Sequence, residues 1–204
     1  MKNKIKKIIY MIIIGAIVLG FSYIYAHIDK NDYIYNKNTD TSLFYGTGIL
    51  KSNEEIKQTF VSEENTIDGI NLKISTAGNV ENVILHYAIV DIQTEERVEY
   101  TISAAQLENN KFNQLEIAQV SETEGKCYEL VFRVENADEQ NGISFYVVPG
   151  QRENQKLTVM GNDIEGTLSV RTICHKFDVE TFVVLLGILL YIGVFMKGLY
   201  KSFR

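Results

Sequence analysis

Tryptophan is absent from this sequence of 204 residues, and proline occurs once. The first absence removes the flattest apolar ring that a protein can lay against a pyranose, so sugar stacking falls to exposed tyrosines. The second bears on the C-terminal end. An apolar run followed by a basic tail has the outline of a sortase-type cell-wall sorting signal, but that signal needs a Leu-Pro-any-Thr-Gly motif. Pro149 stands elsewhere, in "VVPGQ". The C-terminal apolar run is therefore expected to be permanent.

Histidine and cysteine are sparse too. His27, His86 and His175 form no HExxH motif, and no close Cys/His spacing suggests zinc. His27 and His175 flank the apolar runs, where an amphipathic imidazole is at home; His86 reads as a hydrogen-bonded sheet residue. Cys174 and His175 are neighbours, and neighbours on a strand point to opposite faces, which argues against a Cys–His catalytic pair. No Gly-rich phosphate loop, nucleophile elbow or nucleotide motif is present. Cys127 and Cys174 are a candidate disulfide for an oxidising compartment. Two separately packed thiols are the alternative, since spacing does not supply the Cα separation that a bridge requires.

Acidic residues are missing from both ends: none precedes Asp29 or follows Glu180. Residues 8–26, "IIYMIIIGAIVLGFSYIYA", are 19 consecutive uncharged and mostly apolar positions. A helix needs about 20 such residues to cross a hydrocarbon core roughly 30 Å thick. Residues 181–196, "TFVVLLGILLYIGVFM", are 16 more, and the run lengthens to about 179–198 if Lys197 snorkels. Lys2, Lys4, Lys6 and Lys7 precede the first run; Lys197, Lys201 and Arg204 follow the second. Basic flanks stay in the cytoplasm. The expectation is a two-pass plasma-membrane protein with cytoplasmic tails at 1–7 and 199–204 and everything between the helices outside. A secretory signal peptide is the rival reading of the N-terminus. The run exceeds the usual apolar core of about 7–15 residues, and Ile24 occupies the position where cleavage wants a small residue, so an uncleaved anchor is expected. Gly15 and Gly20, like Gly187 and Gly193, miss the four-residue spacing of GxxxG.

Seven of the 20 Lys and Arg lie in those flanks, leaving 13 against all 26 acidic residues in the middle. A net charge of −13 there keeps a domain soluble and excludes nucleic acid and anionic lipid as its partners.

Residues 27–54, rich in Asn, Asp, Lys and Tyr without a steady period, read as a stalk; Tyr23, Tyr25 and Tyr33 suit the aromatic belt of a bilayer surface. Residues 55–176 read as a β-domain. In "IDGINLKIS", Ile70, Leu72 and Ile74 face one way and Asn71, Lys73 and Ser75 the other, the period of a half-buried strand. "NVILHYAIVD" is apolar on both parities and reads as a central strand covered on both faces. "RVEYTIS", "KFNQLEI", "KCYELVFRV", "GISFYVV" and "GTLSVRTI" continue the series, and "STAGNVEN", "QTEE", "SETEGK", "ENADEQNG" and "GNDIEG" supply turns. "SAAQLENN" offers one helical turn. Connections this short exclude parallel crossovers, so the fold class is mainly β: an antiparallel, jelly-roll-like sandwich flanked by an N-terminal and a C-terminal transmembrane helix. The expected core is Phe60, Ile70, Leu72, Ile74, Leu85, Ile89, Tyr100, Leu107, Phe112, Tyr128, Leu130, Phe132, Ile143, Phe145 and Val170.

In order and spacing, "QTF", "IDGINLKIS", "LHYAIVD", "AAQLENNKFNQLEI", "GKCYELVFRVENAD" and "NGISFYV" resemble the extracytoplasmic β-sandwich modules of bacterial polysaccharide-biosynthesis proteins and membrane glycosyltransferases. The resemblance covers residues 58–147 and rests on core positions and turns. Those modules are similar to jelly-roll carbohydrate-binding domains, which implies a carbohydrate-binding fold at the bacterial cell surface. The chain departs from them in lacking an attached polytopic catalytic domain and any Trp.

Carboxylate pairs occur at Glu63–Glu64, Glu95–Glu96 and Asp138–Glu139, and each reads as a solvated acidic turn; adjacency in sequence says nothing of the separation that glycosidase chemistry needs. Glu135, Asp138, Glu139 and Asn141 in "ENADEQNG" are the residues most suited to calcium, but they match no EF-hand pattern. No catalytic residue, metal ligand or cofactor is assigned. The expected function is non-enzymatic: a protein of the bilayer that binds envelope glycan or serves as an accessory subunit in cell-surface polysaccharide assembly. The alternative is an interaction or sensor module working with a larger membrane protein partner.

Overall fold

The computed structural model of the chain describes residues 2–150 and 152–203. These form two compact units: Asn31–Cys174, and the two ends together, Met1–Lys30 with His175–Arg204.

Strands form where apolar residues alternate with polar ones. In chain order they are β1 (His27–Tyr33), β2 (Tyr45–Ile49), β3 (Glu55–Val61), β4 (Thr66–Ala77), β5 (Ile84–Asp91) and β6 (Arg97–Ser103). Then come β7 (Phe112–Ser121), β8 (Cys127–Glu135), β9 (Gly142–Val148), β10 (Lys156–Val159), β11 (Asn162–Ile164), β12 (Thr167–Leu168) and β13 (Val170–Phe177). The first sheet runs β1-β13-β4-β9-β12, with β7 also on β4 and β2 also on β9; the second runs β11-β10-β3-β8-β5-β6. The pairings among β2–β13 are antiparallel. The chain crosses between sheets at nearly every step from β3 to β10, with β5–β6 a hairpin inside one sheet. That wrapping is expected of a jelly-roll-like sandwich.

β4 organises the first sheet. Ile70, Leu72 and Ile74 are buried while Asn71 and Lys73 are not, as the alternation predicts. Ile70 stands opposite Leu115 of β7 on one edge and Thr172 of β13 on the other. Both sheets contribute to one core; Phe132 of β8 meets Phe145 of β9 with ring centroids 5.4 Å apart. Of the expected core residues, Tyr100 and Phe112 are only partly buried, because each leans on an edge strand.

One buried amide ties the sheets together. Gln58 of β3 is fully enclosed. Its Nε2 donates to the carbonyls of Thr59 (2.9 Å) and Lys156 (3.3 Å), and its Oε1 accepts the Leu168 N–H of β12 at 2.9 Å. A buried polar side chain satisfied this fully specifies how β12 docks on β3.

Three expectations need correction. Residues 31–54 are part of the sandwich rather than a stalk: β2 lies among them, and Ile34, Tyr35 and Leu50 are buried. They stand in short apolar clusters, Tyr33-Ile34-Tyr35 and Ile49-Leu50, without a steady period, so no alternation betrays them. β5 is not covered on both faces; its outer residues Ile84, His86 and Val90 remain half-buried beside the edge strand β6. Where "GNDIEG" suggests only a turn, the chain forms the β10–β11 hairpin. Its two-residue loop, Met160-Gly161, takes positive φ at both positions (51° and 78°), the geometry that hairpin twist favours.

The other unit holds α1 (Lys2–Tyr25) and α2 (Val179–Ser202), of 24 residues each, about 36 Å long at 1.5 Å per residue. Both are long and apolar enough to cross a membrane, and their apolar side chains are exposed on all sides, a surface suited to hydrocarbon and not to water. A Cβ added at Gly15, Gly20, Gly187 or Gly193 would meet nothing within 4 Å, so these glycines mediate no close helix contact. Asp178 caps α2, accepting from Thr181 N at 3.0 Å. Its own N–H donates to the Ala26 carbonyl at 2.8 Å, just beyond α1. Tyr23, His27, Phe177 and Phe182 stack in series beside that bond, with centroids 4.6–5.4 Å apart, and His175 Nδ1 meets Asp29 Oδ1. The ends of the two helices are clasped by hydrogen bonds and rings together.

Two substitutions test this description by urea denaturation of the full chain. Gln58→Leu leaves the Leu168 N–H without an acceptor and is expected to cost about 1–3 kcal/mol. Met160→Asn keeps the backbone bond from residue 160 to Glu55 O and relieves a left-handed Met, with a gain of about 1 kcal/mol expected.

Candidate functional site

β6 ends the second sheet and β7 is an outer strand of the first. Where these edges meet, two tyrosines act as rungs. Tyr87 Oη donates to the Glu116 carbonyl at 2.7 Å, and Tyr100 Oη accepts from Ala118 N at 2.8 Å. Their rings stack with centroids 5.4 Å apart. Towards Ser121 the edges part, and a cleft of about 340 Å³ opens. That is the small end of the ligand-pocket range of roughly 300–1,000 Å³.

The floor of the cleft is Ile89 and Tyr128, both buried, and Val98 and Val120 form its apolar walls. Asp91, Glu96, Gln119 and Ser121 supply the polar rim. The Asp91–Glu96 turn sets the two carboxylates: Asp91 Oδ1 accepts from Gln93 N (2.8 Å) and Thr94 N (3.2 Å), and Asp91 N donates to Glu96 O (2.9 Å). That leaves Asp91 Oδ2 without a hydrogen-bond partner among the described residues.

Tyr128 is the distinctive member. It is 2% exposed and its ring packs on Phe60 at 6.0 Å, yet its hydroxyl has no hydrogen-bond partner among the described residues. The oxygen itself is not enclosed and opens into the cleft, where water or a ligand supplies the partner that a tyrosine hydroxyl ordinarily finds. Burial, and then the charge of Asp91, push its pKa above the usual tyrosine value. A neutral phenol, free carboxylate oxygens and an apolar wall suit a ligand that presents hydroxyl groups on one side and C–H groups on the other. Two carboxylates on the rim disfavour an acidic one.

The residues singled out from sequence lie elsewhere. Cys127 is on β8 of the second sheet and Cys174 on β13 of the first, and both are free thiols; the candidate disulfide is not formed. Burial first, then Asp91 and Glu129, push the Cys127 thiol up, while Cys174 Sγ lies 3.2 Å from Thr66 Oγ1. His86 Nε2 is 2.9 Å from Glu135 Oε2. In the "ENADEQNG" loop, Asp138 Oδ1 accepts from the backbone of Gln140 and Asn141 (2.7 and 2.8 Å). The Asn141 side chain and then these N–H groups hold the Asp138 carboxyl below its usual range, and Glu139 pairs with Lys51 at 2.9 Å. No group of three or more metal-binding side chains occurs among the described residues. Glu63 pairs with Arg152 at 3.2 Å. Of the paired carboxylates, only Glu96 reaches the cleft.

Asp91, Gln119 and the outward role of Tyr128 were not legible in the sequence. Tyr128 reads there as one more core position of "KCYELVFRV".

The class is thus an antiparallel β-sandwich on a chain with two helices long and apolar enough to span a membrane. No family model matches the chain, and no curated protein is similar to it.

Because the folded pKa of Tyr128 lies above the ordinary 10.0, the native state holds this proton longer than the unfolded chain. The associated stability is present below about pH 10 and is lost as pH rises through the folded value. Denaturation of the full chain between about pH 9 and pH 11 is expected to show falling stability, with a smaller fall in Tyr128→Phe.

Proposed function

We propose that this is a two-pass plasma-membrane protein whose β-sandwich lies outside the cytoplasm and binds neutral glycan of the cell envelope, without catalysing a reaction. The observation that carries the reading is the Tyr128 hydroxyl, on an otherwise buried side chain, which has no hydrogen-bond partner among the described residues and opens into a cleft rimmed by Asp91, Glu96 and Gln119. The rim accepts hydrogen bonds from sugar hydroxyls, and Val98 and Val120 meet the aliphatic face of the ring. The resemblance of residues 58–147 to sandwich modules of polysaccharide-biosynthesis proteins points the same way. The basic flanks of both apolar helices support cytoplasmic tails, and the acidic charge of the middle segment suits an exported domain. In this reading the protein is an accessory subunit of surface polysaccharide assembly, holding a glycan rather than cutting or joining it.

Full-length protein in nanodiscs of neutral lipid, applied to an array of neutral bacterial glycans, is expected to be retained. Tyr128→Phe and Asp91→Asn each remove one hydrogen bond and are expected to weaken retention about 3–10-fold; failure to retain any neutral glycan rejects the reading. Topology is tested separately in a cysteine-free background. Glu124→Cys is expected to react with an impermeant maleimide in intact cells, and Ser202→Cys only after permeabilisation. The reverse pattern rejects the orientation.

A further inference from the structure

The outward face of β4 carries a second arrangement, built from residues other than those that line the cleft. Arg171 of β13 stands opposite Asn71, and Lys73 of β4 stands opposite Phe112 of β7. Since β13 and β7 lie on opposite edges of β4, the Arg171 side chain reaches across the strand. Its Cζ is 3.7 Å from the Phe112 ring centroid and 4.4 Å from that of Tyr33. Lys73 Nζ is 4.7 Å from the Tyr146 centroid and 5.6 Å from that of Phe44. Each cation is thus held between two aromatic rings.

Neither cation is neutralised. Arg171 Nε and Nη2 donate to the Tyr35 hydroxyl at 3.3 and 3.2 Å, which pins one edge of the guanidinium and leaves Nη1 without an acceptor among the described residues. Lys73 Nζ has no hydrogen-bond acceptor and no carboxylate within ion-pair distance among the described residues. The other arginines between the helices behave differently: Arg97 and Arg133 share Glu99, and Arg152 pairs with Glu63. In a segment with nearly twice as many acidic as basic residues, two half-buried cations that form no ion pair among the described residues call for a cause. Polar atoms nearby are also unmatched. Asn71 Oδ1, on the residue facing Arg171, and Ser169 Oγ, two residues before it, are enclosed with no hydrogen-bond partner, a state that native proteins seldom leave unexplained.

We infer that this face is a binding site for a small ligand bearing one acidic group, a sugar phosphate or sugar acid, with the oxyanion between Arg171 and Lys73. The rings hold both cations in place before the ligand arrives, so little side-chain ordering is left to oppose binding. The free edge of the guanidinium and the lysine ammonium supply charge-assisted donors, while Tyr33, Phe44, Phe112 and Tyr146 offer apolar contact to a ring. Charge limits the ligand's size. The segment between the helices holds 25 acidic and 13 basic residues, a net charge of −12, which repels a polyanion or an anionic bilayer; a single acidic group feels mainly the charges within a Debye length of about 8 Å. The inference does not rest on the cleft, whose rim disfavours acids.

The test is calorimetric titration of the full-length protein in neutral-lipid nanodiscs, at constant ionic strength, with inorganic phosphate, with glucuronate and with glucose. Saturable binding of phosphate and glucuronate is expected in wild type and in Tyr128→Phe, where the cleft is impaired. Arg171→Gln and Lys73→Gln are each expected to weaken it at least about tenfold, and Arg97→Gln to leave it unchanged. Circular dichroism monitors folding, and should Arg171→Gln misfold, Lys73→Gln and Tyr35→Phe carry the comparison. Three results overturn the inference: no saturation by either anion, equal affinity in folded Lys73→Gln, or retention only on phosphatidylglycerol vesicles.

Discussion

The alternation of β4 is the constraint on which the sandwich depends. Ile70, Leu72 and Ile74 go inward to the shared core, and Asn71 and Lys73 go outward under the aromatic rings. A slip of one residue against β7 or β13 would put Lys73 in the core and three large aliphatic side chains in water. Because β4 pairs on both edges, with β7 along one and β13 along the other, the register is checked twice. The same two pairings bring Phe112 and Arg171 within reach of each other across the strand, so one alternation sets both the interior and the outward cation site.

Polar groups complete what apolar packing begins. Gln58 inside, and Tyr87 and Tyr100 at the margin, carry hydrogen bonds from one sheet to the other at three separate places. Burial alone is non-directional and tolerates sliding of one sheet on the other; these bonds do not. Where the tyrosine rungs stop, the edges diverge and the cleft begins. Its shape follows from where cross-sheet bonding ends, and its negative rim from a tight turn that aims Asp91 and Glu96. Two ligand-sized features of opposite charge preference thus sit on one small scaffold, the cleft with its carboxylates and the face with its unpaired cations.

The helical unit obeys different physics. Its apolar side chains find little burial within the protein, and hydrocarbon would suit them as a core suits apolar side chains elsewhere. Order at its ends comes from Asp178 as cap, from its backbone bond to Ala26 and from the rings of Tyr23, His27, Phe177 and Phe182.

Period and run length in the sequence already determined the apolar helices, the identity of most strands, the inward set Ile70, Leu72, Ile74, Leu130 and Phe132, and the antiparallel class, because those depend on neighbours a few residues apart. Leu50 and Ile34, in a stretch with no steady period, and the hairpin turned by Met160-Gly161 escaped such reading. Only tertiary structure decided that Cys127 and Cys174 belong to different sheets, that the Tyr128 hydroxyl ends in a cleft, and that Arg171 lies on Phe112 instead of beside a carboxylate. Each of these joins residues some 40 to 60 positions apart, or closes a gap between strand edges. Strand pairing sets such distances, and no local pattern encodes which edges will meet.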